Sequence, residues 1–131
     1  MPGASGRVLV VDDSQVIRQL IRVNLELDGF EVMTAADGAQ CLEAVHAFRP
    51  DVITLDLAMP RLDGLRTVDR LRLDPRTLAI PLVVVSASAG AGACTGGVDA
   101  VLAKPFEPAE LVGLVRTLCA EGRPASRTLA P

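Results

Sequence analysis

The strongest constraint on the fold of this chain is a regular alternation of short apolar runs with segments of helical spacing. The runs are rich in β-branched residues, as strands buried in a sheet are. Repeated strand–helix alternation predicts βαβ units and a parallel sheet with helices on both faces. Right-handed crossovers reduce the topology to a doubly wound α/β fold. The predicted strands are 7–12, 30–35, 51–56, 80–86 and 98–103, and the predicted helices are 14–28, 37–48, 63–74 and 107–120.

Apolar stripes along the predicted helices indicate which faces cover the sheet. The stripes are Val16, Leu20, Val23 and Leu27; Cys41, Val45 and Phe48; and Leu111, Val115, Leu118 and Cys119. The crossover at 87–98 departs from this pattern because it holds four glycines. Each glycine within a helix costs about 1 kcal/mol relative to alanine. We therefore expect a fourth crossover helix that is shortened or disordered.

Composition excludes several classes of protein. The chain has 131 residues and a net charge of −3, which disfavours direct nucleic-acid binding. Half of its residues are hydrophobic, yet no apolar run approaches the roughly 18 residues of a membrane helix. The three cysteines are far apart and fit reduced thiols of a cytoplasmic protein. We expect an N-terminal tail (1–6), one domain (7–121) and a C-terminal tail or linker stump (122–131).

Polar side chains stand where the predicted strands end. The first strand ends at Asp12 and Asp13, the third at Asp56, the fourth at Ser86 and the fifth at Lys104. The carboxyl ends of parallel strands meet at one edge of the sheet, where ligands bind. Three neighbouring carboxylates repel one another unless a cation intervenes, and oxygen ligands without His or Cys favour Mg²⁺. A carboxylate beside Mg²⁺ and a lysine is a plausible acceptor of a phosphoryl group.

Each of these residues also has a simpler structural interpretation. Asp13 or Ser14 caps the first helix, Asp56 caps a later one, and Lys104 is a solvated surface residue. Lys104 is nevertheless the sole lysine among 13 basic residues, which favours a site that needs a compact charge. Structural roles are expected for the remaining candidates: Asp63 as a cap, Phe106 in the core, His46 at the surface or satisfied by a partner, and Asp51, Asp69 and Asp99 solvated or capping.

Four sequence blocks together resemble the receiver domain of two-component response regulators. They are VLVVDDS (8–14), DVITLDLAMPRLDG (51–64), PLVVVSA (81–87) and KPF (104–106). The resemblance extends from Arg7 to Glu121, nearly the whole chain. It implies a flavodoxin-like five-stranded sheet in the order 2-1-3-4-5. It also implies a bacterial phosphorelay protein that is not an enzyme, beyond its own phosphoryl transfer and slow autodephosphorylation.

The resemblance also implies a role for each site residue. Asp56 is the expected phosphoacceptor. Mg²⁺, or alternatively Mn²⁺, is held by Asp13, Asp56 and the backbone carbonyl of Ala58, with Asp12 acting through water. Ser86 is the switch hydroxyl. Lys104 pairs with the phosphoryl group, and its bond to Pro105 is expected to be cis.

The implied partners are a sensor histidine kinase or histidine phosphotransfer protein, and a downstream protein or output domain. No direct nucleic-acid or membrane contact is expected. Receivers commonly carry Tyr or Phe three residues before the lysine, and here that position is Val101. Together with the glycine-rich crossover, this favours an altered route for the signal.

Three other functions differ from this one in the residues that they require. A phosphatase of the haloacid-dehalogenase class expects a second Asp two residues after the nucleophile, where this chain has Ala58. A nucleotide-binding domain expects a glycine-rich phosphate loop after the first strand, which the sequence lacks. A receiver-fold interaction module with little or no phosphorylation-driven switching remains the alternative.

Overall fold

The strands form one parallel sheet in the predicted order. A computed structural model describes residues 6–57, 63–86 and 97–122. The strand order is β2-β1-β3-β4-β5, and every neighbouring pair is parallel. This confirms the doubly wound, flavodoxin-like fold. The strands are β1 (Gly6–Val11), β2 (Phe30–Ala35), β3 (Val52–Asp56), β4 (Leu82–Ser86) and β5 (Ala100–Ala103).

The helix starts follow the capping residues in the sequence. The Ser14 hydroxyl accepts a hydrogen bond from the Ile17 amide (3.3 Å), and the Asp37 carboxylate accepts one from Gln40 (2.8 Å). Both side chains thereby satisfy amides that have no partner within the helix. The helices of the described residues are α1 (Gln15–Leu27), α2 (Gly38–Phe48), α3 (Asp63–Leu73) and α4 (Pro108–Glu121). The predicted crossover helix lies outside the described residues, apart from its last two positions.

Alternation along the strands divides the core into two layers. On β1, Val8 and Val10 pack with α1 and α4, whereas Leu9 and Val11 pack with α2 and α3. Successive side chains of a strand point to opposite faces of its sheet, so one strand supplies both layers. The predicted stripe on α2 is buried. On α4, Leu111, Val115 and Leu118 are buried and Cys119 is partly buried.

The predicted buried stripe of α1 was wrong. Val16 and Leu27 are 77% and 81% exposed, and Leu20 and Val23 also face solvent. The helix instead buries Ile21 and Leu25 against the sheet, with Ile17 partly buried beside them. Two apolar stripes run along α1, and the position of the chain on the sheet decides which of them becomes core.

Asp99 was also predicted wrongly as solvated or capping. Its side chain is 4% exposed, forms an ion pair with Arg72 at 3.2 Å, and accepts a hydrogen bond from the Leu82 amide at 2.9 Å. The Arg72 guanidinium also donates to the carbonyls of Gly97 and Ile80, both at 2.8 Å. The end of α3 is thereby tied to the edge of the sheet where β4 and β5 begin.

Two other expectations concern cysteines and membranes. Cys41 and Cys119 are free thiols, and Cys94 lies outside the described residues. Burial, with a contribution from the nearby Asp51 carboxylate, raises the pKa of the Cys119 thiol. Among the helices of the described residues, none has the length and apolarity needed to cross a membrane.

Candidate functional site

Strand register brings the predicted acids to one edge of the sheet. Val11 of β1 lies beside Leu55 of β3, so Asp12 and Asp56 follow on neighbouring strands. Asp56 in turn lies beside Val85 of β4. Because β1 and β3 are adjacent in space but separated in sequence by α1, β2 and α2, only the fold brings these carboxylates together.

Lys104 bridges the two buried carboxylates. Its Nζ lies 3.3 Å from Asp12 Oδ2 and 3.3 Å from Asp56 Oδ2. Asp12 and Asp56 are only 1% and 3% exposed, whereas Asp13 is exposed. Oxygens of Asp12, Asp13 and Asp56 all lie within 4.8 Å of one another. The structure therefore brings four of the predicted site residues into one cluster.

Backbone contacts hold Asp12 in place. Its Oδ1 accepts a hydrogen bond from the Ser14 amide at 2.9 Å, and its carbonyl accepts one from Arg18 Nη1 at 2.7 Å. Its own amide donates to Ala35 at the end of β2 (3.2 Å). These bonds fix the start of α1 against the ends of two strands, so the Asp12 carboxylate reaches the cluster in one orientation.

The charges in the cluster influence one another. Burial raises the pKa of the Asp12 carboxyl above its ordinary value, with a further contribution from the Asp56 charge. The Ser14 amide and Lys104 oppose this shift without cancelling it. Partial burial acts to lower the pKa of Lys104, but Asp12 and Asp56 outweigh it and raise that pKa. One ammonium faces two buried carboxylates, so the cluster keeps excess negative charge.

Of the other predicted site residues, the structure describes Ser86 and Val101 but not Ala58. Ser86 is buried at the end of β4, and its carbonyl accepts a hydrogen bond from the Lys104 amide at 3.1 Å. The Lys104–Pro105 bond is cis, as expected. Val101 lies on β5 with 38% of its surface exposed. The predicted carbonyl ligand of Ala58 lies outside the described residues.

Gly64 supports the site and was missed as a site residue by sequence reasoning. A Cβ atom at this position would lie 2.9 Å from the Asp56 carbonyl oxygen and 2.8 Å from Leu57 Cα. Both neighbours are backbone atoms, so any larger residue would displace the end of β3. The available signal is the Asp-Gly pair at the start of α3, which by itself indicates only the start of a helix.

The chemistry of the cluster fits a hard divalent cation. Its donors are carboxylate oxygens from three residues, and two of those residues are buried. Mg²⁺ prefers oxygen ligands and usually takes one or two carboxylates together with waters and phosphate oxygens. The exposed Asp13 leaves the cluster open to such an ion and its waters on one side.

Comparison with known proteins gives the family. The model of the response regulator receiver domain matches residues 8–116. A relative from Mycobacterium bovis, the transcriptional regulatory protein PrrA, is 42% identical over 87% of this chain and 50% of its own length. The Synechocystis regulator RpaA is 36% identical over 86% of this chain and 48% of its own length. The chain belongs to the receiver domain family of two-component response regulators.

Solved structures agree with this assignment. The receiver domain of the Pseudomonas aeruginosa sensor histidine kinase PA1611, which has a magnesium ion in its active-site cleft, has a TM-score of 0.82 at 29% identity. It matches 90% of this chain and 100% of its own. The Vibrio cholerae chemotaxis regulator CheY4 has a TM-score of 0.77 at 32% identity, covering 86% and 97% of the two chains. The chain spans about half the length of the curated relatives it matches.

Proposed function

We propose that this receiver accepts a phosphoryl group on Asp56 from phosphohistidine and thereby controls a partner or output domain. The donor is a sensor histidine kinase or a histidine phosphotransfer protein, and the location is the cytoplasm. The observation that carries the proposal is the position of Lys104 Nζ, 3.3 Å from the carboxylates of both Asp56 and Asp12. From this position the ammonium can stabilise the negative charge that moves onto a phosphoryl group during its transfer.

The transfer needs little covalent chemistry from the protein. A carboxylate oxygen of Asp56 attacks phosphorus, a P–O bond forms, the P–N bond of phosphohistidine breaks, and the imidazole leaves with the electron pair. Lys104 stabilises the developing negative charge on the phosphoryl oxygens. Asp13, Asp56 and the backbone carbonyl of Ala58 would hold Mg²⁺, with Asp12 acting through water, and the ion would supply further positive charge to those oxygens when bound.

Ser86 is proposed to read the phosphorylated state. It is the last residue of β4, at the same edge as Asp56, and its hydroxyl can donate a hydrogen bond to a phosphoryl oxygen. The chain then acts as a switch that catalyses its own phosphorylation and slow dephosphorylation, without turning over other substrates. A receiver-fold interaction module with little phosphorylation-driven switching is the second candidate, and the aliphatic Val101 favours it.

Intact-mass measurement tests the transfer. The protein is incubated with Mg²⁺ and a small acyl phosphate, and we expect the mass of one phosphoryl group to be added. Asp56→Asn should lose the adduct, and Asp69→Asn, at an exposed acid on α3, should keep it. An unmodified wild-type protein, or an undiminished adduct on Asp56→Asn, contradicts the proposal.

The switch is tested separately with Ser86→Ala. The phosphorylated and unphosphorylated forms are compared by NMR amide shifts in the wild type and in the variant. We expect phosphorylation to proceed in both, with shift changes beyond the site greatly reduced in Ser86→Ala. Wild-type protein that is phosphorylated without distant shift changes supports the interaction module instead.

A further inference from the structure

A furrow lined by arginines runs between α2 and α3. Three hollows follow one another along it, with volumes of about 250, 390 and 470 Å³. The first and second share Leu42 and Arg70, and the second and third share His46 and Arg76. They therefore form one continuous surface, which we call the α2–α3 furrow.

Three of the four arginines that line this furrow in the described residues differ from the other arginines. Nine arginines lie in the described residues, and six of them bind acids or carbonyls of the chain: Arg7, Arg18, Arg22, Arg72, Arg76 and Arg116. Within the described ranges, the guanidinium groups of the other three have no hydrogen bond or ion pair. These three are Arg49, Arg66 and Arg70, and all of them line the furrow.

The furrow therefore carries unbalanced positive charge on an acidic protein. Asp74 is the one acid among its lining residues in the described part of the chain. Its carboxylate already accepts a hydrogen bond from Arg76 at 3.0 Å and lies 3.6 Å from His46 Nε2. Glu43 and Asp69 belong to the same helices but line none of the three hollows. This charge is complementary to a negatively charged ligand.

Apolar side chains in the furrow indicate which class of negatively charged ligand fits it. Leu73 is 80% exposed at its edge, and the partly buried Leu42 lies in the same hollow. A nucleic acid bound through phosphates gains nothing from an exposed leucine, whereas an amphipathic protein segment buries an apolar side chain against it. Arginine forks also bind carboxylates in a bidentate manner.

We propose that the α2–α3 furrow binds an acidic amphipathic segment of a partner protein. Carboxylates of the segment pair with Arg49, Arg66 and Arg70, and an apolar side chain packs on Leu73. The eleven residues of α3 extend over about 16 Å, the length of roughly three helical turns. This contact is separate from the proposed phosphoryl transfer and needs no phosphate on Asp56.

Fluorescence anisotropy tests the proposal directly. The probe is a fluorescein-labelled peptide of about 14 residues with Leu at helical spacing and Glu at the other positions. We expect it to bind the unmodified protein and to lose about tenfold in affinity for Arg66→Glu/Arg70→Glu. Leu73→Ser should also weaken binding. Arg22→Glu, at an arginine on α1 outside the furrow, is the matched control and should bind as the wild type does.

Several results would overturn the proposal. They are no binding of the acidic peptide, equal binding of the same peptide with Gln in place of Glu, or an equal loss for Arg22→Glu. Tighter binding of a single-stranded oligonucleotide of equal charge assigns the furrow to nucleic acid. A dimer in sedimentation that Arg66→Glu/Arg70→Glu dissociates assigns it to a second copy. Arg66→Gln/Arg70→Gln repeats the test without charge reversal, and circular dichroism verifies the fold of each variant.

Discussion

Two charged regions of this receiver differ in burial and in whether their charges are paired within the described residues. At the carboxyl edge of the sheet, Asp12 and Asp56 are almost fully buried and share one ammonium. In the α2–α3 furrow, Arg66 and Arg70 are exposed and unpaired within the described residues. A buried charge must be compensated inside the fold and becomes part of its stability. An exposed charge costs little to leave unpaired, so it stays available for a partner.

The largest expected effect is the loss of stability in Lys104→Met. Removing the ammonium leaves the carboxylates of Asp12 and Asp56 buried side by side. The cost in the free energy of unfolding is about 3 kcal/mol, at the low end for a buried pair because Lys104 is 23% exposed. Urea denaturation measures this cost. Asp12→Asn added to Lys104→Met should recover part of it, because one of the repelling charges is gone. A single variant as stable as the wild type contradicts our account of the cluster.

The contribution of Lys104 to stability also has a defined pH dependence. Its pKa in the folded protein is raised above 10.5, so the contribution is fully present below pH 10.5. It is lost as the pH rises through the raised folded value. The difference in unfolding free energy between the wild type and Lys104→Met should therefore persist to about pH 10. A difference that disappears near neutral pH would show that Lys104 does not act through its charge.

Mg²⁺ should stabilise the same cluster by a smaller amount. A ligand that binds only the folded state, at about ten times its Kd, adds about 1.4 kcal/mol. Calorimetry should show a melting temperature that rises with Mg²⁺ and saturates. Asp13→Asn removes a proposed ligand and should shift the titration to higher Mg²⁺. Asp69→Asn, outside the cluster, should leave the titration unchanged. An equal shift for both variants would mean that Mg²⁺ acts by general charge screening and not by binding to the cluster.

Arg66→Glu should separate stability from binding in the furrow. The new carboxylate would lie one turn before Arg70 near the start of α3, an arrangement that stabilises a helix by about 0.2–0.5 kcal/mol. The same change should weaken binding of the acidic peptide. Thermal unfolding and anisotropy on one preparation measure both effects. A variant that loses stability and binding together would indicate that Arg66 has a structural role.

The smallest effect is expected for Asp74→Asn, which removes the acid among the described lining residues of the furrow. Hydrogen bonds from Arg76 lower the pKa of Asp74, so its contribution to stability is present above pH 3.8 and is lost as the pH falls through the lowered value. Asp74→Asn should melt slightly earlier at neutral pH and should match the wild type in strong acid. It should also bind the acidic peptide more tightly. Weaker binding would contradict the assignment of charge in the furrow.

Much of this structure could be predicted because its determinants are local. β-branched runs marked the strands, and the acids at the strand ends marked the cluster, since parallel strands of one sheet end together. The α1 stripe and Asp99 were predicted wrongly for a common reason. Periodicity shows that Leu27 lies on an apolar stripe, but it does not show which of two stripes meets the sheet. The position of Asp99 next to a predicted strand does not indicate that Arg72 of α3 will approach its carboxylate.

The sequence by itself determined the order of strands and helices, the two-layer core and the residues of the acidic cluster. The first two features depend on side-chain periodicity and on neighbours within a few residues. The third follows from the rule that parallel strands of one sheet end at the same edge. The tertiary structure alone decided which side of α1 is buried, that Arg72 pairs with Asp99, and that Arg49, Arg66 and Arg70 line one furrow without partners in the described chain. Charge pairing depends on distances across the fold, and these are set only when the helices pack on the sheet.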